Sequence, residues 1–135
     1  MNIRVGAMVA FFKTQLKKYP EGIILIDFHF NAAAPTVSGT ECIVRATPDI
    51  KELNLGRAIS KATAGVLKIN DRPLKTETQS HRGKLHLFQN IKASEAIVVL
   101  QEVCFISSKK DMDAYAANRD ELAKEVAKTL FDFAQ

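Results

Sequence analysis

GIILIDFHFN, residues 22–31, is the stretch from which the fold of this chain can be argued. It places Ile23, Ile24, Leu25 and Ile26 on consecutive positions. An unbroken apolar run of this length is typical of a strand that is buried on both faces under helices. The stretch therefore predicts a central strand of an α/β sheet. It leads directly into His29, a side chain that can serve as acid, base or metal ligand.

Composition limits both the architecture and the partners. A chain of 135 residues, 47% of them hydrophobic, predicts one domain over residues 1–135. The net charge of +4 is spread along the chain without a basic arm or interleaved aromatic residues, which argues against a nucleic-acid partner. Cys42 and Cys104 are far apart in sequence, so we expect two buried thiols and not a disulfide framework.

Targeting and membrane signals are weak. No apolar run approaches the roughly 18 residues that a membrane-spanning helix needs, so we expect no membrane insertion. The apolar run from Val5 to Phe12 follows Arg4, but it is short and no small-residue cleavage site comes after it. We therefore expect a native helix there instead of a signal peptide.

The rest of the chain alternates helical and strand patterns. Helices are predicted over residues 2–18 and 50–67, the second capped by Asp49, and a final helix from Asn118 follows a short turn capped by Ser108. Further strands are predicted over 40–44, 84–88 and 96–100, and the polar residues 70–83 form a long loop. The pattern predicts a three-layer α/β domain, with a mostly parallel or mixed sheet of about four to five strands flanked by helices.

Two titratable residues follow strongly apolar strands. His29 and Glu102 would lie beyond the carboxyl ends of neighbouring strands, where ligands bind in open α/β sheets. A histidine there can bind zinc, and a nearby carboxylate can act as general base on a metal-bound water. The alternatives are a hydrogen-bonded structural histidine and a glutamate that caps a turn or pairs with a lysine. Asp27 either orients His29 or is a paired carboxylate, and His81 and His86 are expected in solvent or at a strand edge.

Two blocks of sequence carry a family resemblance. Ile24–Glu41 contains ILIDFHFNAA and then SGTE, and Arg82–Ser107 contains Arg-Gly and then LHLFQNIKASEAIVVLQEVCFIS. In this order they resemble the zinc-dependent N-acetylmuramoyl-L-alanine amidases, the peptidoglycan hydrolases of bacterial cell-wall enzymes and phage endolysins. The predicted helix over Asn118–Leu130 is similar to the closing helix of that family.

The resemblance implies an activity and a set of site residues. The substrate would be peptidoglycan glycopeptide, cleaved by zinc-activated water at the amide between N-acetylmuramic acid and L-alanine. His29 would be a zinc ligand and Glu102 the catalytic carboxylate. Asn31 and Arg82 would border the substrate groove, and Asp27 would position His29. The protein would act on the cell wall after release or export from the cytoplasm.

The sequence also departs from the family. Family members begin with a strand that ends in a glycine-flanked histidine, followed by a glutamate, and these supply the other two zinc ligands. This sequence has neither block, which predicts an amidase-like domain incomplete at its N-terminus, without the family's first strand and with weakly held zinc. A non-catalytic remnant that binds glycopeptide or a partner protein is the alternative, and an unrelated α/β domain is a third reading. A missing strand would leave a sheet edge that favours association with a second copy.

Overall fold

The computed structural model describes residues 3–20, 22–80 and 82–135, with side chains described from residue 7 onward. Helices and strands alternate along this chain. The helices are α1 (Ile3–Lys18), α2 (Ile50–Leu67), α3 (His86–Asn90) and α4 (Lys109–Phe133). The strands are β1 (Ile24–Asn31), β2 (Glu41–Val44), β3 (Lys75–Thr76) and β4 (Ile97–Phe105). No helix in these ranges is both long and apolar enough to span a membrane.

The four strands form one mixed sheet in the order β1-β4-β2-β3. β1 runs parallel to β4, β4 runs antiparallel to β2, and β2 runs parallel to β3. Helices cover both faces. Helices α2 and α4 pack on one face through Leu55 and Ile59 of α2 and Leu122 and Val126 of α4. Helices α1 and α3 cover the other face. The predicted three-layer α/β architecture with a mixed sheet is therefore confirmed.

β4, and not β1, is the central strand. β4 lies between β1 and β2, and every residue from Val98 to Phe105 is buried. β1 lies at the edge of the sheet that the described residues form, and its residues 28–30 are exposed. The prediction of a doubly buried central strand was wrong for GIILIDFHFN. Only Leu25 of this strand is fully buried, because no described strand covers the outer edge of β1.

Residues 84–88, predicted as a strand, lead into and form part of helix α3. The alternation of Leu85 and Leu87 suggested a period of two, but Ile91 N donates to Leu87 O at 3.2 Å, as in a helical turn. The turn brings Leu87, Phe88 and Ile91 together onto the α1-covered face of the sheet. A helical spacing of one and four residues places these three side chains on one side, which an extended strand would not do.

Two element boundaries differ from the predictions, since β4 ends later and the last helix begins earlier than the sequence predicts. β4 continues five residues past Leu100, so Glu102 lies inside a buried strand and not after it. α4 begins after Ser108, whose Oγ accepts a hydrogen bond from Asp111 N, and it runs without interruption through Asn118. Asn118 therefore does not cap a separate final helix, and its side chain donates to Ala114 O within α4. The predicted helix over 50–67 and its Asp49 cap are confirmed.

Candidate active site

Three titratable side chains form a row across the sheet. His29 of β1 is the register partner of Glu102 in the parallel β1–β4 pair, and Glu41 of β2 is the register partner of Glu102 in the antiparallel β4–β2 pair. Register partners present their side chains on the same face of a sheet. The structure therefore brings together His29 and Glu102, which are separated by 73 residues in sequence (102 minus 29), as expected from parallel neighbouring strands.

Glu102 is a buried carboxylate without a hydrogen-bond donor. Only 1% of its surface is exposed, and neither Oε1 nor Oε2 accepts a hydrogen bond from the described residues. Burial raises the pKa of Glu102, and the nearby charges of Arg82 and His29 oppose that rise. The negative charges of Glu41 and Asp27 add to it. A carboxylate in this environment is a stronger base than one in water.

Arg82 is the cation that contacts Glu102. Its Nη2 lies 2.7 Å from Glu102 Oε1 and 3.0 Å from Asn31 Oδ1. The second contact has hydrogen-bond geometry, whereas the first is a close charge contact without that alignment. The two residues that the resemblance placed at the border of the groove therefore lie together beside Glu102. Arg82 reaches this place from the loop before α3, with its side chain 35% exposed.

Asp27 lies beside His29, as their spacing of two residues on one strand predicts. His29 Nε2 is 3.0 Å from Asp27 Oδ2, and the histidine side chain is 44% exposed. The carboxylate is thus placed to orient the imidazole ring. Among the residues that the structure describes, no three histidine, cysteine, aspartate or glutamate side chains form a group that could hold a metal ion. The expected zinc ligand is present here, but the described residues do not form a complete zinc site.

Glu41 lies in the same row as His29 and Glu102, although its place in the SGTE motif predicts no role for it. Its side chain is buried, and its Oε1 lies 2.9 Å from Lys75 Nζ and 3.2 Å from Arg72 Nε. These cations come from the polar segment between α2 and α3. A charged first residue on an otherwise apolar buried strand is the signal that could have identified it.

The remaining histidines and cysteines lie apart from this row or outside the described residues. His86 is exposed at the start of α3, as predicted. His81 lies outside the described residues. Cys42 and Cys104 are free and buried, also as predicted, and burial raises the pKa of the Cys42 thiol to about 12.

A buried aspartate fixes the backbone around the row. Asp111 Oδ2 accepts hydrogen bonds from Gly39 N and Phe105 N, both at 3.0 Å, and its Oδ1 accepts one from Ser38 Oγ. Gly39 has a φ of +126°, and a Cβ there would lie 2.7 Å from Asn70 O, so only glycine fits. Asp111 thereby joins the segment that precedes Glu41 to the strand that carries Glu102.

Solved structures that are similar to this chain include the catalytic domain of an endolysin and an N-acetylmuramoyl-L-alanine amidase. The catalytic domain of the CD27L endolysin targeting Clostridia difficile superposes with a TM-score of 0.65 at 20% identity, over 91% of this chain and 63% of that chain. Cwp6 from Clostridium difficile gives 0.71 at 22% identity, over 97% and 20%. An N-acetylmuramoyl-L-alanine amidase from Clostridium difficile 630 gives 0.71 at 15% identity, over 93% and 64%. This chain thus spans less than two-thirds of each, and identities this low show the fold alone.

The sequence comparison covers nearly the whole chain. None of the curated proteins compared with this sequence gives a significant match. The family model described as N-acetylmuramoyl-L-alanine amidase matches residues 13–132, a range that includes β1, β4 and the row of His29, Glu102 and Glu41. The match and the fold agree with the resemblance of the two sequence blocks. The chain belongs to the N-acetylmuramoyl-L-alanine amidase family.

Proposed function

We propose that this chain is a peptidoglycan hydrolase that cleaves the amide between the lactyl group of N-acetylmuramic acid and L-alanine. Membership of the amidase family supports the class of reaction. The observation that carries the proposal is Glu102, a carboxylate 1% exposed and without a hydrogen-bond donor among the described residues. It is the register partner of His29 in the neighbouring parallel strand β1.

Glu102 is suited to act as general base and then as general acid. Its raised pKa favours removal of a proton from water, and the water oxygen then bonds to the amide carbonyl carbon. As the carbon–nitrogen bond breaks, Glu102 returns the proton to the leaving amine of L-alanine. Arg82 holds positive charge 2.7 Å from the carboxylate, and Asn31 holds Arg82 by a hydrogen bond. In the proposed reaction, this pair would border the bound substrate.

The family resemblance also implies zinc, which in catalytic sites has three protein ligands and one open position. Among the described residues, His29 is the candidate ligand at this rim, and its Nε2 faces Asp27 at 3.0 Å. A single histidine does not fit such a site. We therefore propose that this chain alone holds zinc weakly, through His29, and that any further ligands lie outside the described residues.

Hydrolysis of purified muropeptides tests the proposed activity. Mass spectrometry should detect stem peptides with a free L-alanine amine and glycans with a free lactyl carboxylate. Glu102→Gln should abolish this release, because the amide cannot accept the proton of water. Glu121→Gln changes an exposed glutamate of α4 in the same way and should leave the rate unchanged.

The same assay separates the alternative function. A wild-type protein that binds muropeptide without releasing L-alanine peptides would support the non-catalytic role in binding cell-wall glycopeptide. That role has one observation in its favour, since the described residues provide no group of three metal-ligating side chains. Hydrolysis that is equal in the wild type and in Glu102→Gln would remove Glu102 from the reaction.

A further inference from the structure

The described residues on the two sides of Arg82 are joined by the side chain of Glu77, which contacts Leu85. Glu77 is 5% exposed, although it follows a short strand in a polar stretch. Its Oε2 accepts a hydrogen bond from Leu85 N at 3.0 Å. A carboxylate buried in a loop has to be satisfied by such donors, because its desolvation is costly. The bond joins the two ends of the 77–85 segment across eight positions of sequence.

The base of the segment is fixed to the sheet. Glu77 N donates to Val44 O of β2 at 2.8 Å, so the residue that closes the segment continues the β2–β3 pairing. Ser80 Oγ donates to Glu77 O at 2.7 Å and lies 3.3 Å from Arg82 N, which donates to it. Glu77 therefore holds the segment at its start through main-chain bonds and at its end through its carboxylate. Both anchors are part of the described structure.

Arg82 is the functional side chain that this closed segment carries. Its backbone has one hydrogen bond in the described structure, to Ser80 Oγ, and its guanidinium crosses to Glu102 and Asn31. A long, partly exposed arginine on an open polar loop would lose much conformational freedom on taking that place. Closing the loop beforehand removes part of that cost, as preorganisation does in binding sites. Arg82 Nε and Nη1 make no hydrogen bond with the described residues and are available for a substrate oxygen.

We propose that Glu77 is a positioning residue, which closes the 77–85 segment through Leu85 N and so holds Arg82 against Glu102 and Asn31. This inference rests on the proposed function, because it assigns Arg82 to the substrate side of the reaction. Glu77 itself does not touch the substrate. Its effect is transmitted through the placement of one guanidinium.

The first test measures the placement of the Arg82 side chain by NMR and does not require the protein to be hydrolytically active. In ¹⁵N-labelled protein, the Nη2–H resonance of Arg82, the group that contacts Glu102 and Asn31, is assigned by its loss in Arg82→Lys. Glu77→Ala removes the acceptor for Leu85 N and should move this resonance to the position of a free arginine, with fast exchange. Glu77→Gln keeps a carbonyl acceptor and should retain the wild-type resonance. Glu95→Ala is the matched control, because Glu95 Oε2 accepts from Lys92 N in a turn before β4 and should have no effect on Arg82.

The second test measures coupling in kcat/KM on muropeptides. Glu77→Ala should lower kcat/KM by about 10- to 100-fold, the range for a misplaced functional group. In the Arg82→Ala background the same change should have no further effect, because the residue through which Glu77 acts is gone. Glu77→Gln should restore most of the rate. A purely structural role would lower the rate equally in both backgrounds.

Each outcome decides between the two roles. The positioning role would be overturned if the Arg82 resonance were unchanged in Glu77→Ala. It would also be overturned if the losses of kcat/KM from the two single variants multiplied in the double variant. If Glu77→Ala does not fold, Glu77→Asp keeps the charge but shortens the side chain by one methylene, and it should displace the Arg82 resonance in the same way. A wild-type protein without hydrolytic activity would overturn the proposed function, and the resonance would still decide the placement of Arg82.

Discussion

Two buried glutamates, each with an arginine beside it, have opposite environments in this protein. Glu52 of α2 is 0% exposed and its Oε1 accepts from Arg45 Nε at 2.5 Å and from Val98 N at 3.3 Å. Arg45 is 10% exposed and also donates to Ile91 O at 2.7 Å. Glu102 is as deeply buried, but its oxygens accept no hydrogen bond from the described residues, and its partner Arg82 is 35% exposed.

The difference separates a structural ion pair from a reactive one. The Glu52–Arg45 pair joins α2, β4 and the end of α3 through hydrogen bonds of Glu52 Oε1 and of Arg45 Nε and Nη1, whereas Glu52 Oε2 and Arg45 Nη2 have no partner among the described residues. Such a pair lowers the cost of its own burial and leaves little capacity for a ligand. The Glu102–Arg82 pair keeps that capacity, because neither oxygen of Glu102 accepts a hydrogen bond from the described residues and the Arg82 side chain is partly exposed. Buried charge alone therefore does not identify the site, whereas a carboxylate with neither oxygen hydrogen-bonded, beside a partly exposed arginine, does.

The largest effect should come from breaking the structural pair. Glu52→Ala leaves Arg45 buried without its carboxylate, and we expect it to lower the free energy of unfolding by about 3–5 kcal/mol. Urea unfolding followed by circular dichroism measures this loss. Glu121→Ala, at an exposed position of α4, is the control and should change stability little. A loss for Glu52→Ala no larger than that of the control would contradict the structural assignment.

The next effect concerns Asp111, which fixes the backbone on both sides of the site. Asp111→Ala leaves the buried N–H groups of Gly39 and Phe105 without an acceptor, so we expect a loss of about 2–4 kcal/mol at neutral pH. Burial tends to raise the pKa of Asp111, but hydrogen bonds from Ser38, Phe105 and Gly39 outweigh it and lower the pKa below the ordinary 3.8.

This lowered pKa gives the Asp111 comparison a pH dependence. A carboxyl whose pKa is lower in the folded state than in the unfolded state contributes stability above its unfolded value, and that stability is lost as the pH falls towards the folded value. The advantage of the wild type over Asp111→Ala should therefore be full above about pH 5 and shrink as the pH falls below 3.8. Unfolding curves collected from pH 7 to pH 2.5 test this. An advantage that grows on acidification would show that the sign is wrong.

A smaller effect on stability is expected at the reactive pair. Glu102→Gln removes a charge that is buried without hydrogen bonds, so we expect stability to stay within about 1 kcal/mol of the wild type or to rise. The same variant should lose hydrolysis, which separates catalysis from folding. A loss of stability as large as that of Glu52→Ala would mean that Glu102, too, is mainly structural. Urea unfolding under the same conditions compares the two variants directly.

The smallest expected signal is zinc binding at His29, whose side chain is 44% exposed. His29 is the candidate ligand among the described residues, so binding should be weak and should disappear in His29→Ala. Competition with a fluorescent zinc chelator measures it, and His86→Ala serves as the control at an exposed histidine of α3. Tight, stoichiometric zinc that survives removal of His29 would show that other side chains of this chain form the metal site.

Part of the site could be predicted because its geometry follows from strand order. His29 and Glu102 follow apolar runs, and parallel neighbours place such positions side by side. Glu77 and Glu41 could not be assigned in the same way. Glu77 contacts Leu85 N, and Glu41 contacts Lys75 and Arg72. These contacts depend on how a polar segment without apolar periodicity folds back onto the sheet. A pattern of side chains contains no information about such hydrogen bonds.

The sequence by itself determined the fold class through its apolar periodicity, which is a local property, and the family through the resemblance of two sequence blocks. It also predicted that His29 and Glu102 lie side by side. Only the tertiary structure decided that GIILIDFHFN lies at the edge of the described sheet, that β4 is central, and that residues 86–90 are helical. It also decided that Glu52 accepts hydrogen bonds in the interior and that Glu102 accepts none from the described residues. These outcomes depend on which strands pair and which donors reach a buried carboxylate, and both are set by packing between segments far apart in sequence.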